Sequence, residues 1–194
     1  MTTALFVIDI QNDLATDPET RIPHAERINT AGQKILSVAR AILEAQQGQT
    51  PAIFFVQHEE KPEDGPLVRD SEPWKLVFEP HAHAHRERRI PKWTRDTFES
   101  NPNLASELKA AGIGEIIAFG IQSECCVEST CSGAIAAGFK VTLLSGAHST
   151  YNSGSKTAEE IEREVEERLR AKGAMVVPWE EAVAAWERNE RLSC

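Results

Sequence analysis

The chain has 194 residues, 41% of them hydrophobic, enough to bury one substantial core, and a formal charge of −9 that disfavours nucleic acid as a partner. No apolar run approaches the roughly 20 residues that a membrane span needs, and the apolar stretch over 4–10 is interrupted by Asp9, which a signal peptide would not carry, so the expected setting is the cytoplasm. Cys125, Cys126, Cys131 and Cys194 suit free thiols better than a disulfide framework, since two are adjacent and one is terminal.

In chain order, residues 4–10 form a first apolar strand. Residues 25–47 carry Ile28, Ala31, Ile35, Val38, Ala39, Ile42 and Leu43 at the spacing of one helical face, and Gly48 stops that helix. A second strand follows over 52–58. The stretch 59–89 holds Pro62, Pro66, Pro73 and Pro80 and the alternating His81, His83 and His85, with no period, and reads as a lid or binding loop. Ile90 and Pro91 make a short peripheral strand. Helices over 104–110, 124–137 and 158–172 then end at Gly112, Gly138 and Gly173, and each is followed by a strand, over 115–120, 141–144 and 174–177. A last helix covers 179–191.

Strands apolar on both faces belong in a parallel sheet. The β-α alternation therefore predicts right-handed crossovers and an α/β fold, a Rossmann-like three-layer α-β-α sandwich around a mainly parallel sheet of about six strands. Chemistry in such sheets sits at the carboxyl ends of the strands. With no repeat or linker to mark a boundary, one domain is expected over 1–194.

Three reactive side chains fall near those ends. Asp9 follows Val7 and Ile8 in an apolar strand; it is either a turn-forming aspartate or a general base whose buried charge needs a partner. Cys126 comes shortly after the strand 115–120 and opens a helix, where exposed N–H groups favour a thiolate and can donate to an oxyanion; simple packing as a small hydrophobe is the alternative. Lys92 is either a solvated lysine or a charge turned inward beside a carboxylate and a thiol.

The segments ALFVIDIQNDL, IPKWTRDTF and GIQSECCVESTCSGAIAAGFKVTLLSGAHSTY resemble, in order and spacing, the three signature blocks of the isochorismatase-like (cysteine hydrolase) superfamily, over nearly the whole chain from Ala4 to about Pro178. The resemblance implies a catalytic set of Asp9, Lys92 six residues ahead of Phe98, and Cys126 six residues past Gly120, with Cys125 at a variable position. It also implies a cis peptide at Ile121–Gln122 and an oxyanion hole from the N–H groups of Gln122 and Cys126. Gln11, Leu14, His58, Trp74 and Ile121 are the expected substrate-binding residues, although Trp74 can equally be a core anchor for the loop. The implied activity is hydrolysis of a C–N bond in a small amide, ureido or lactam-type substrate through a thioester, with Asp9 moving the proton and Lys92 favouring the thiolate.

Three positions depart from the family pattern: Leu14 where an aromatic is usual, Ser123 for threonine and Gly146 for aspartate. No cofactor or metal is expected, because only His58 stands where the nicotinamidase branch builds its metal site, and the 81–85 histidines lack an accompanying acid or cysteine. Relatives imply a homo-oligomer, a dimer or tetramer; here Trp179, Val183 and Trp186 offer weak support, since they can pack within the chain instead. The competing readings are isochorismate-like vinyl ether hydrolysis, which Cys126 argues against, a non-catalytic small-ligand-binding protein, and a redox sensor using Cys125 and Cys126.

Overall fold

The computed structural model describes residues 2–46, 52–82 and 84–193; Gln47, Gly48, His83 and Cys194 lie outside the described residues. Six parallel strands form one sheet in the order β3-β2-β1-β4-β5-β6, with β1 Thr2–Ile8, β2 Ile53–His58, β3 Glu87–Lys92, β4 Ile113–Ile121, β5 Lys140–Ser149 and β6 Met175–Pro178. The helices are α1 Asn12–Ala15, α2 Ala25–Ala45, α3 Thr97–Ser100, α4 Leu104–Ala110, α5 Glu128–Ala136, α6 Ala158–Ala171 and α7 Trp179–Asn189.

Alternation along β1 shows why the sheet needs both faces covered. Leu5 and Val7 pack with α2 and α7 residues such as Ile28, Ile35, Val183 and Trp186, whereas Phe6 and Ile8 pack with α4, α5 and α6 residues such as Leu108, Ala134 and Val165. The result is the expected three-layer sandwich. Trp186 is 0% exposed and Val183 is buried in the first of these cores, with Trp179 packed against it, so the aromatic residues that gave the oligomer its support in the sequence are taken up inside the chain.

Several boundaries move for physical reasons. β3 is a six-residue edge strand rather than a dipeptide, because residues from Glu87 on pair with β2, and the loop therefore ends at 86. β5 continues past Leu144: after a bulge containing Gly146, at φ +77, it pairs again through His148 and Ser149 with Gly120 and Ile121. The expected helix over 124–137 is split into a single π-helical turn, Ser123–Val127, closed by the Val127 N–H to the Gln122 carbonyl at 3.1 Å, followed by α5.

The loop 59–86 is tied to the start of the chain. Gln11 Nε2 donates to the carbonyls of His58 at 3.0 Å and Trp74 at 2.8 Å, its Oε1 accepts from His58 N–H at 2.9 Å, and Gln57 Nε2 donates to the same Trp74 carbonyl at 2.9 Å. Backbone bonds from Asn12 to Lys75 and from Val77 to Ile10 complete the seam. The loop is a wall built on buried hydrogen bonds.

At the end of β4, Gly120 has φ +143, and a Cβ there would lie 2.0 Å from the Ile8 carbonyl oxygen. Gly112 has φ +79 with open space around it. Gly120→Ala should therefore destabilise the protein well beyond Gly112→Ala, whose cost is the backbone penalty of a left-handed residue alone, roughly 1–2 kcal/mol; urea unfolding of the two variants measures the difference.

Candidate active site

Parallel pairing brings the carboxyl ends of β3, β2, β1 and β4 to one edge of the sheet, where His58 on β2 stands in register with Lys92 on β3. Asp9 leaves β1 at φ +48, a left-handed conformation that aspartate tolerates better than the neighbouring Val or Ile would. Lys92, at the end of β3 two strands away, reaches it: Nζ lies 2.7 Å from Asp9 Oδ2, with the two side chains 0% and 1% exposed. The same ammonium stands 3.1 Å from His58 Nδ1, 3.1 Å from the Thr94 carbonyl and 3.2 Å from Cys126 Sγ.

Burial by itself would lower the Lys92 pKa, but the Asp9 charge and the Cys126 sulfur reverse this and raise it, so Lys92 is an ammonium. His58 is held down by burial and then by Lys92, so its imidazole is neutral; with Nδ1 accepting from Lys92, the proton is assigned to Nε2. The Asp9 carboxylate is thus within reach of both the Lys92 ammonium and the Cys126 thiol.

Cys126 sits inside the π turn that leads into α5, and burial, then the Asp9 charge, push its thiol well up, with Lys92 only partly offsetting them. Burial and the Asp9 charge thus disfavour the thiolate beside the Lys–Asp ion pair. The peptide between Ile121 and Gln122 is cis. The turn that follows it is braced from β5: Ser123 Oγ lies 2.8 Å from His148 Nδ1, and His148 Nε2 is 3.5 Å from Glu166, long for a hydrogen bond. Burial would raise the Glu166 carboxyl, but His148 and a 2.6 Å hydrogen bond from Ser145 hold it at about 2.

A cavity of about 410 Å3 opens over Cys126 and is lined by Asp9, Leu14, His58, Ile121, Gln122 and Cys125, among others. Of the expected substrate-binding residues, Leu14, His58 and Ile121 line it, while Gln11 and Trp74 do not: Gln11 is fully buried in the loop seam, and the Trp74 carbonyl accepts that seam's hydrogen bonds while its ring lies under Arg89. Sequence reasoning missed Asp13, Glu60, Arg95 and Tyr151, which also line the cavity. Asp13, Arg95 and Tyr151 lie in the three signature blocks, one in each, and their place there was the available signal; nothing local marks Glu60.

Asp9, His58 and Cys126 offer ligand atoms within 4.8 Å of one another, a spacing that could hold a metal ion. Lys92 Nζ already stands between them as a bonded cation, and a second positive charge there would be repelled. His81 and His85 are exposed and do not line the cavity.

The isochorismatase domain model matches residues 3–181. A streptothricin hydrolase from Streptomyces noursei is 31% identical over 150 residues, 77% of this chain and 55% of that protein. A second one from the same organism is matched over 50% of its length, so the chain spans about half the length of these curated relatives. Among solved structures, an isochorismatase-like hydrolase from Alkaliphilus metalliredigens superposes with a TM-score of 0.78 at 24% identity, covering 95% of this chain and 96% of that one. N-carbamoylsarcosine amidase from Thermoplasma acidophilum superposes at 0.72 and 19% identity, covering 92% and 97%. Both share the fold.

Because Asp9 raises the Cys126 thiol and Lys92 lowers it, removing each should move its ionisation in opposite directions. Asp9→Asn should shift the pH profile of iodoacetamide alkylation at Cys126 to lower pH, and Lys92→Met should shift it to higher pH. Peptide mass spectrometry across a pH series checks both; shifts in the same direction would contradict this electrostatic assignment.

Proposed function

The chain belongs to the isochorismatase family, and from that premise we propose that it is a cysteine-dependent hydrolase cleaving a C–N bond of a small amide, ureido or lactam-type substrate through a thioester on Cys126. The observation that carries this reading is the buried Lys92–Asp9 ion pair at 2.7 Å with the Cys126 sulfur 3.2 Å from the same ammonium, at the floor of a cavity. The names of the matched streptothricin hydrolase and N-carbamoylsarcosine amidase support hydrolysis and, for the second, an amide-type bond.

The raised thiol pKa favours a step in which deprotonation accompanies attack, since little thiolate stands ready. In this mechanism Asp9 takes the Cys126 proton as sulfur adds to the carbonyl carbon, and the N–H groups of Gln122 and Cys126 receive the oxyanion. The C–N bond breaks with transfer of that proton to the departing nitrogen. Asp9 then deprotonates a water that attacks the thioester, and the proton it gains returns to sulfur as the acid leaves. Lys92 holds Asp9 ionised at the start of each half-reaction. His58, neutral with Nε2–H on the cavity wall, can donate to the substrate.

The redox alternative loses ground because oxidation by peroxide proceeds through thiolates, and both vicinal thiols are pushed up, Cys125 by burial and Glu124. The test is ammonia or amine release from a panel of small amides, ureido compounds and lactams. Cys126→Ala should lose about a thousandfold or more in kcat/KM, Cys125→Ala should lose far less, and hydroxylamine should trap the acyl group as a hydroxamate. Turnover that survives in Cys126→Ala would sink the mechanism.

A further inference from the structure

Among the charged residues lining the cavity that the proposed mechanism leaves unused, Asp13 stands out. Asp13, in α1, is 9% exposed and lines the cavity wall. Its backbone is tied off, the N–H donating to the Pro73 carbonyl at 3.1 Å and its own carbonyl accepting from Thr20 Oγ1 at 2.7 Å. Its carboxylate has no hydrogen-bond or ion-pair partner among the described residues, although the residue is nine-tenths removed from solvent.

Of the groups that could compensate it, Lys92 and Tyr151 are otherwise engaged and Arg95 is exposed to solvent. Lys92 is committed to Asp9, and the Tyr151 hydroxyl, on the same wall, donates to the Thr20 carbonyl. Tyr151 itself registers the negative surroundings, its phenol being pushed up by burial and then by Asp13. Glu60 adds a second carboxylate, which accepts from Leu67 N–H at 2.9 Å, while Arg95 is the exposed cation of the lining. A largely buried carboxylate without a partner is costly unless something arrives to meet it.

We propose that Asp13 anchors a cationic group of the substrate, an ammonium or amidinium, so that the compound bound is an amide carrying a positive charge away from its scissile bond. This deepens the hydrolase reading and rests on it for the reaction, while the binding can be measured without turnover. Specificity would then reside in the wall formed by α1 and the segment after β5, and the reacting end of the substrate would face Cys126.

The experiment is calorimetric titration of the Cys126→Ala protein with a ladder of ω-aminoalkanamides of increasing length, each paired with the neutral alkanamide of equal length. At least one aminoalkanamide should bind about tenfold or more tightly than its neutral partner, a difference of about 1.4 kcal/mol, and added salt should erode the preference. The preference should collapse with Asp13→Asn in the same background and persist in part with Asp13→Glu, thermal unfolding confirming that each variant is folded; should Asp13→Asn not fold, Asp13→Glu and the salt series decide. Equal affinities across every pair, no binding of either member, or a preference untouched by Asp13→Asn would overturn the assignment. Parallel turnover assays on the native protein separate the two ideas: cation preference in binding without hydrolysis of any compound would count against the hydrolase and leave the subsite, and hydrolysis indifferent to charge would do the reverse.

Discussion

The buried ion pair between Lys92 and Asp9 is the constraint on which the rest of the site depends. Both side chains are essentially inaccessible to water, and removing either partner from such a pair leaves an uncompensated charge at a cost of about 3–5 kcal/mol. The pair spans two strand spacings, from β3 across β2 to β1, a gap of about 10 Å between backbones that suits a long flexible side chain. Sheet order is therefore a chemical requirement: with β3 elsewhere, Asp9 would be a lone carboxylate in an apolar strand end.

From that pair the electrostatics of the neighbours follow. Burial and the Lys92 ammonium keep His58 neutral and the same ammonium fixes its tautomer, while burial and the Asp9 carboxylate outweigh Lys92 in pushing the Cys126 thiol up. A site arranged in this way disfavours a free thiolate. In the proposed mechanism the acid-base partner lies within a few ångströms, and the proton moves only when a carbonyl is present to accept the sulfur. The turn that carries Cys126 is held from the opposite side by Ser123 and His148, which can meet only because β5 resumes pairing after its bulge at Gly146.

The loop 59–86 closes the cavity by a different physics. Its proline-rich sequence has no period, yet two buried glutamines, Gln11 and Gln57, fasten its backbone with hydrogen bonds to the Trp74 carbonyl. Gln11, expected to touch substrate, instead builds the wall that substrate would meet. The same segment supplies Glu60, Pro66 and Leu67 to the lining.

Local pattern determined a good deal by itself. Apolar runs at Leu5–Ile8 and Ile116–Phe119 dictated parallel strands, the helical stripe through Ile28 and Ile35 dictated a covering helix, and the signature blocks marked Asp9, Lys92 and Cys126 as candidates. The strands and the helix are properties of residues within a few positions of one another, so periodicity carries them, whereas the three candidates rest on the resemblance of the signature blocks. What only the tertiary structure decided depends on groups distant in the chain: the extent of β3, set by pairing with β2; the upward push on the Cys126 thiol, set by burial and by Asp9 more than a hundred residues away; the seam that removes Gln11 and Trp74 from the cavity; and the burial of Trp186 against the first core. Asp13 belongs to both classes. Its position in the QND block was legible, but that its carboxylate faces a cavity unpartnered follows from where Thr20, Pro73 and Tyr151 come to lie, because burial and charge compensation are set by neighbours in space.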